Sequence, residues 1–244
     1  MPAMTRSLRL RHPALVLCFP LAACSAEKGA SAPKPEEAAK PAEAAKPAEA
    51  PKPEEAAKPA APEPAAKLGQ PAPDFALKDL DGAEHTLAQY RGKVVVLEWF
   101  NPDCPFVNYA HGEGELKEMA AKASADGVVW LAINSGAPGK QGHGVEANRA
   151  GVDKFKLAHP VLLDESGEVG HLYGATKTPH LFVIDAEGAL VYHGAIDNAP
   201  MGEVRDAGAE KINYVAAALA DLKEKRPVAT AETAAYGCSV KYGS

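Results

Sequence analysis

The chain has 244 residues, of which 46% are hydrophobic and 24% charged, with a formal net charge of −6. These are averages of a soluble globular chain. The acidic balance, without a basic stripe, argues against nucleic acid as a partner, and neither a Gly-X-Y period nor sustained heptads appear, which excludes collagen and coiled coil. Nine of the 21 prolines crowd into residues 26–66 and nine more are spread over 67–244. The averages therefore conceal three regions: an address over 1–23, a linker over 24–66 and a single domain over 67–244.

The address carries Arg6, Arg9 and Arg11 ahead of an apolar run from Ala14 to Leu21. That run is too short to span a bilayer, and the order is the grammar of a secretory signal. It closes in Leu21-Ala22-Ala23-Cys24, which resembles a bacterial lipobox. The resemblance implies cleavage before Cys24 and lipidation of that residue, with acyl chains holding the domain at a membrane. Ser25 after it implies the outer membrane, on the periplasmic side.

In the linker, Lys recurs at 28, 34, 40, 46, 52 and 58 among Ala, Pro and Glu. No aliphatic larger than Ala and no aromatic is present, so burial cannot offset the entropy of ordering. A solvated tether is expected, reaching at most roughly 130 Å.

The domain begins with Phe75 and Leu77 alternating with polar residues, then a turn at Asp81-Gly82. The run Val94–Phe100, apolar except for Glu98, predicts a buried strand. A helical segment follows Cys104, with Leu116, Met119, Ala120 and Ala123 on one face. Val128–Ile133 predicts a second buried strand, and the glycine-rich loop 136–144 leads to a helix ending near Phe155. That loop lacks G-x-x-x-x-G-K-[ST] and is expected to connect elements, not to hold phosphate. Pro160–Leu163 predicts a short strand, Ser166–Tyr173 a short helix, and 181–184 with 190–193 a hairpin around Asp185–Gly188. Ile212, Val215, Ala216, Leu219 and Leu222 define a last amphipathic helix. The order indicates an α/β domain whose sheet is covered on both faces.

Four cysteines are encoded. With Cys18 in the signal and Cys24 lipidated, the domain keeps Cys104 and Cys238, which outside the cytosol form either a structural bridge or a redox couple. Cys104 lies between a buried strand and a helix, in Asn101-Pro102-Asp103-Cys104-Pro105-Phe106-Val107. A helix N-terminus offers unpaired N–H groups and positive partial charge, which favour a thiolate. Pro105 suits the first turn, where its missing N–H is not needed.

The segment Leu68-Gly69-Gln70-Pro71-Ala72-Pro73-Asp74-Phe75-Ala76-Leu77 resembles the opening of redoxin domains of the AhpC/TSA type. Strand, Cys-Pro helix, then Thr178-Pro179 before a strand is similar to the thioredoxin fold. Residues Asn101 to Val107 and Gly237 to Tyr242 resemble a peroxiredoxin-like group of bacterial thioredoxin-fold proteins. Over about 68–242 the resemblance implies a thioredoxin-like fold: a central mixed β-sheet flanked by helices, with a cis-proline before a C-terminal β-hairpin and helix. It also implies that Cys104 is the nucleophile, that Glu98, six positions earlier, is a buried acid relaying a proton, and that Pro105, Thr178, Pro179 and His180 face the substrate. A desolvated carboxylate with a raised pKa would suit that relay.

The departures bear on activity. Val107 stands where a thioredoxin has its second cysteine and where a peroxiredoxin has its peroxide-attacking one. Leu97 and Asn101 replace the Pro and Thr of the peroxiredoxin run, and Arg149 is only a candidate for its arginine. Cys238, after the last helix, either resolves an oxidised Cys104 or pins the tail in a static disulfide. Such a disulfide would close a loop of about 130 residues, worth roughly 4–5 kcal/mol. One thiol with His111 or His180 makes a poor copper site. His180 is expected to face the thiol; the other histidines read as surface or satisfied core residues.

The expectation is a lipid-anchored, extracytoplasmic thiol-dependent oxidoreductase. Its partners would be a protein or small-molecule thiol or disulfide, and the membrane through the anchor; no cofactor and no metal are called for. The rivals are a thiol peroxidase acting on a peroxide and a non-catalytic binding or copper-carrier domain with a structural disulfide.

Overall fold

The structure, a computed structural model, describes residues 65–204 and 208–243. The expected signal 1–23, Cys24 and the linker as far as residue 64 lie outside the described residues. Ala65 and Ala66, assigned to the linker, donate their N–H groups to the Leu172 carbonyl at 3.0 and 3.2 Å. Among the described residues, no helix is long and apolar enough to cross a membrane.

In chain order the elements are β1 (Ala76–Asp79), β2 (Glu84–Thr86), β3 (Val95–Trp99), α1 (Pro105–Gly112), α2 (Leu116–Ala125), β4 (Val129–Asn134), α3 (Gly144–Phe155), β5 (Val161–Leu163), α4 (Glu168–Tyr173), β6 (Lys177–Thr178), β7 (His180–Ile184), β8 (Leu190–Gly194), α5 (Tyr214–Lys223) and β9 (Cys238–Ser239). Seven strands form a mixed sheet in the order β2-β1-β5-β4-β3-β7-β8. β3 runs parallel to β4 and antiparallel to β7, and the Thr178–Pro179 peptide bond is cis. This is the thioredoxin-like architecture that the resemblance implies.

β3 is buried along its whole length because helices cover both faces of the sheet, and this is why its sequence reads as continuous rather than alternating. Leu97 and Trp99 point to one side, with Leu131, Ile133 and Phe182 and with Val169 and Tyr173 of α4. Val96 points to the other, with Trp130, Leu181 and Val183 against Ala110, Leu116, Ala120, Val215 and Ala218 of α1, α2 and α5. Phe100, Cys104, Val107, Ala132 and Val161 form a third cluster at the end of β3, with Val152 and Phe155 of α3 packed on it.

The single helical segment expected after Cys104 is two helices. The Glu113 and Gly114 N–H groups both turn back to the Tyr109 carbonyl, at 2.9 and 2.7 Å. A Cβ on Gly114 would lie 2.9 Å from the Ala110 Cα, so only glycine allows so tight a break. The last helix starts later than its apolar pattern suggests: Asn213 caps it, accepting the Ala216 N–H at 2.8 Å, and Ile212 is left exposed.

The segment after α5 is a belt that the sequence did not announce. Beside β8, the His193 N–H donates to the Ala231 carbonyl (3.0 Å) and the Thr233 N–H to the His193 carbonyl (3.1 Å). The belt then pairs β9 antiparallel to β6, with Lys177 opposite Ser239 and Thr178 opposite Cys238. Tyr242 closes it. Its ring stacks on His171 at 4.1 Å, its hydroxyl donates to the Ala175 carbonyl at 2.7 Å, and it fills space that a Cβ on Gly167 or Gly170 would occupy.

Candidate active site

Cys104 is the extended residue that precedes α1, with Pro105 as the first helical residue. The turn that presents it is held by polar side chains. The Cys104 N–H donates to the Asn101 carbonyl at 3.0 Å, and Asn101 Oδ1 accepts the Asp103 N–H at 2.9 Å. Asn101 Nδ2 donates to the Gln141 carbonyl at 3.1 Å, and Gln141 Nε2 returns to the Asp103 carbonyl at 3.2 Å. The glycine loop, expected as a plain connection, is therefore the brace of the cysteine turn. Gly142 is needed there because it has φ +74° and a Cβ would fall 2.2 Å from Asn101 Oδ1. Sequence reasoning gave Asn101 and Gln141 no such role; an Asn two residues before Asp103 is the local turn signal that could have raised it.

Both cysteines are free thiols. Cys104 is fully buried and Cys238 half-buried. In the thiol form Cys104 Sγ donates to the Thr178 carbonyl at 3.0 Å, which favours protonation, and burial pushes its pKa up as well. Against these act the Thr178 hydroxyl, the Cys238 thiol and the N–H groups of Val107 and Cys238, and the net result is a pKa below the ordinary thiol value. The Thr178 hydroxyl is buried without a hydrogen-bond partner in this structure, so it is free to turn to ionised sulfur. No side chain caps α1, so the Val107 N–H remains free to favour ionised sulfur. Cys238 goes the other way: burial, with the Cys104 thiol and its charge, raises it to about 11, with Lys241 and Lys177 opposing. Of the two sulfurs, Cys104 is thus the more readily ionised.

The placing of Cys238 beside Thr178 depends on Gly237, which has φ +123° and whose Cβ would lie 2.2 Å from the Thr178 carbonyl oxygen. Gly237→Ala is expected to lift β9 from β6. Equilibration with glutathione should then show the tendency to form the Cys104–Cys238 disulfide reduced by at least about tenfold, since the effective concentration of the second thiol falls.

Three expectations need correction. Thr178, Pro179 and His180 were assigned to the substrate face, yet all three are buried and β9 covers Thr178; of the four, only Pro105 is exposed. The His180 ring turns onto Phe182 (4.5 Å between centroids) and toward His193 (6.1 Å), and its Nδ1 accepts the Thr176 N–H at 3.4 Å, so these contacts, not a bond to the thiol, engage it. Burial, with His193 nearby, depresses His180 to about 3.

The third concerns Glu98. It is fully buried, as expected, but both carboxylate oxygens are taken: Oε1 by His111 Nε2 at 2.7 Å and Oε2 by Trp130 Nε1 at 3.0 Å. Burial alone would raise its pKa; the charge and hydrogen bond of His111 outweigh burial and lower it. An acid that stays ionised with both oxygens engaged is not a free proton relay. Its partner, read as a surface or core histidine, ties α1 to β3. Seven residues after Cys104, His111 lies on the same helix face, which was visible in the sequence; the acid across from it was not.

Among the described residues, no group of three or more His, Cys, Asp or Glu is arranged to hold a metal. Arg149 donates to the Leu80 carbonyl at 2.6 Å and pairs with Asp81 at 2.7 Å, so it serves the turn between β1 and β2.

The sequence pattern of the AhpC/TSA family matches residues 68–193, a stretch that stops short of Cys238. The thiol-disulfide oxidoreductase ResA of Geobacillus thermodenitrificans is 34% identical over 137 residues, which are 52% of this chain and 68% of that one. Peroxiredoxin-2 of Cricetulus griseus is 32% identical over 163 residues, covering 58% of this chain and 75% of its own. The crystal structure of a hypothetical protein from Sinorhizobium meliloti 1021 superposes with a TM-score of 0.63 at 30% identity, covering 73% of this chain and 96% of the other.

Proposed function

The chain belongs to the AhpC/TSA family, and from that premise we propose that it is a thiol–disulfide oxidoreductase working through a Cys104–Cys238 dithiol–disulfide couple. The observation that carries this reading is that β9 sets Cys238 opposite Thr178, the residue whose carbonyl lies 3.0 Å from Cys104 Sγ, and packs it on the cluster that holds Cys104, the pKa of one thiol being lowered and that of the other raised.

The Cys104 thiolate attacks a sulfur of the substrate disulfide, a mixed disulfide forms and the first substrate thiolate leaves. Cys238, losing its proton to that thiolate, attacks Cys104 Sγ and releases the second. The substrate gains two electrons and the enzyme ends as the Cys104–Cys238 disulfide. The lowered pKa of Cys104 makes it the attacking sulfur near neutral pH and the better leaving group when the enzyme is reduced again. Glu98 and His111 position α1 and take no part in the transfer.

We place this chemistry outside the cytosol, on a domain lipid-anchored through Cys24 and tethered by residues 24–66. The support is the charged-then-apolar order of 1–23 and a thiol pair suited to an oxidising compartment.

The family match and the likeness to Peroxiredoxin-2 favour one second reading, in which a hydroperoxide oxidises Cys104 to the sulfenic acid and Cys238 condenses with it, releasing water. Stopped-flow oxidation of the reduced protein separates the two. A disulfide should yield one Cys104–Cys238 bond per chain, while hydrogen peroxide should react at the rate of free cysteine. A peroxide rate several orders of magnitude higher would transfer the assignment to the peroxidase, and no intramolecular disulfide with either oxidant would end both.

A further inference from the structure

The sulfur that is chemically ready is the one that nothing outside can touch: Cys104 has 0% exposure. What covers it is the chain's own belt. An extended protein client meeting a buried thiol at a strand edge would add itself as a further strand, pairing main chain to main chain. The edge beside Cys104 is β6, and its pairing groups already face β9, with Cys238 opposite Thr178. The position that a client's cysteine would take is thus held by Cys238.

Displacing β9 is a large event, because anchors on either side hold it. Upstream, the Tyr236 hydroxyl donates to Asp197 at 2.7 Å. Downstream, the Val240 N–H donates to the Thr176 carbonyl at 3.2 Å, the Lys241 carbonyl accepts the Ala137 N–H at 2.9 Å, and Tyr242 is bonded to Ala175. A disulfide a few atoms wide needs only a small local shift of the half-buried Cys238; a protein disulfide needs the whole strand released. Small openings are far more populated than release of an anchored segment.

We infer that the belt restricts Cys104 to disulfides of low molecular weight, excluding those held in proteins, an inference that rests on the exchange chemistry proposed above. One turnover balances as two enzyme thiols plus RSSR giving the Cys104–Cys238 disulfide plus two RSH, the thiol protons leaving with the two products.

The test uses the reduced full-length chain with two probes, glutathione disulfide and insulin, following oxidation of Cys104 by acid quench, alkylation and peptide mass mapping. Glutathione disulfide is expected to react at least about tenfold faster per disulfide than insulin. In Tyr236→Phe/Tyr242→Phe, which keeps the rings and removes the two hydroxyl anchors, the insulin rate should rise about tenfold, with the glutathione disulfide rate changed by less than about twofold. Amide exchange at Cys238 and Ser239 reports whether the anchors have been loosened; if they have not, truncation after Ala235 supplies the open site for the same comparison. Equal rates for the two probes in the native chain overturn the inference, as does a gap that persists once β9 is released. Failure of Cys104 to react with either probe overturns the exchange reading itself.

Discussion

Cys104→Ser is expected to lose at least about a thousandfold in disulfide turnover, because a hydroxyl near neutral pH offers no thiolate and no second group takes its place. The fold should barely notice. Serine Oγ can donate to the Thr178 carbonyl as the thiol does, and its smaller volume leaves little space behind in a site closed by Val107 and Phe100. Thermal unfolding of the variant should therefore lie near that of the parent while reduction of glutathione disulfide falls to background. A variant that keeps its turnover would remove Cys104 from the mechanism. Cys238→Ser should differ in kind, completing the first exchange and stalling as a mixed disulfide on Cys104.

Breaking the Glu98–His111 pair is the change expected to matter most for stability. Removing one member of a buried, hydrogen-bonded pair strands the other, at about 3–5 kcal/mol, so His111→Leu should lower the urea midpoint strongly. Replacing both by apolar residues of similar volume should recover most of the loss, since no unpaired charge remains. A double variant as unstable as the single would mean that packing, not charge, sets the effect. The pH dependence has a definite sign. The folded pKa of Glu98 lies below its ordinary 4.5, so the unfolded chain binds the proton first. The pair's stabilisation is fully present above about 4.5 and is lost as the pH falls through the lower, folded value. In the double variant this part of the acid transition should disappear.

Much of this molecule was legible beforehand, and the exceptions share a cause. β3, β4 and the β7–β8 hairpin were visible because burial on both faces, or a four-residue turn, writes itself into a short window of residues. The break between α1 and α2 was missed because Gly114 carries no pattern; what makes it necessary is the closeness of the Ala110 backbone. Cys104, Cys238 and Glu98 could be singled out by residue type and position. Their arrangement could not, since each depends on a partner distant in sequence: β9 on β6, Glu98 on His111 and Trp130, Asn101 on Gln141. A two-residue strand such as Cys238-Ser239 has no periodicity to detect, and its pairing is decided sixty residues away by Thr178. The expected raised pKa of Glu98 failed for the same reason, because burial was foreseeable and the histidine opposite was not.

The belt also passes along β8, the last strand of the seven-stranded sheet, where Ala231 and Thr233 take up the main-chain groups of His193. An uncovered outer strand is a template on which further copies of a chain can stack, and natural sheets guard against it by covering or charging that strand. The same segment that seats Cys238 thus also covers this border. Loss of the whole segment after α5, Ala231 and Thr233 included, would remove Cys238 and uncover this border as well, so such a product is expected to stall as a mixed disulfide on Cys104 and to self-associate, unlike a chain cut after Ala235, which keeps β8 covered.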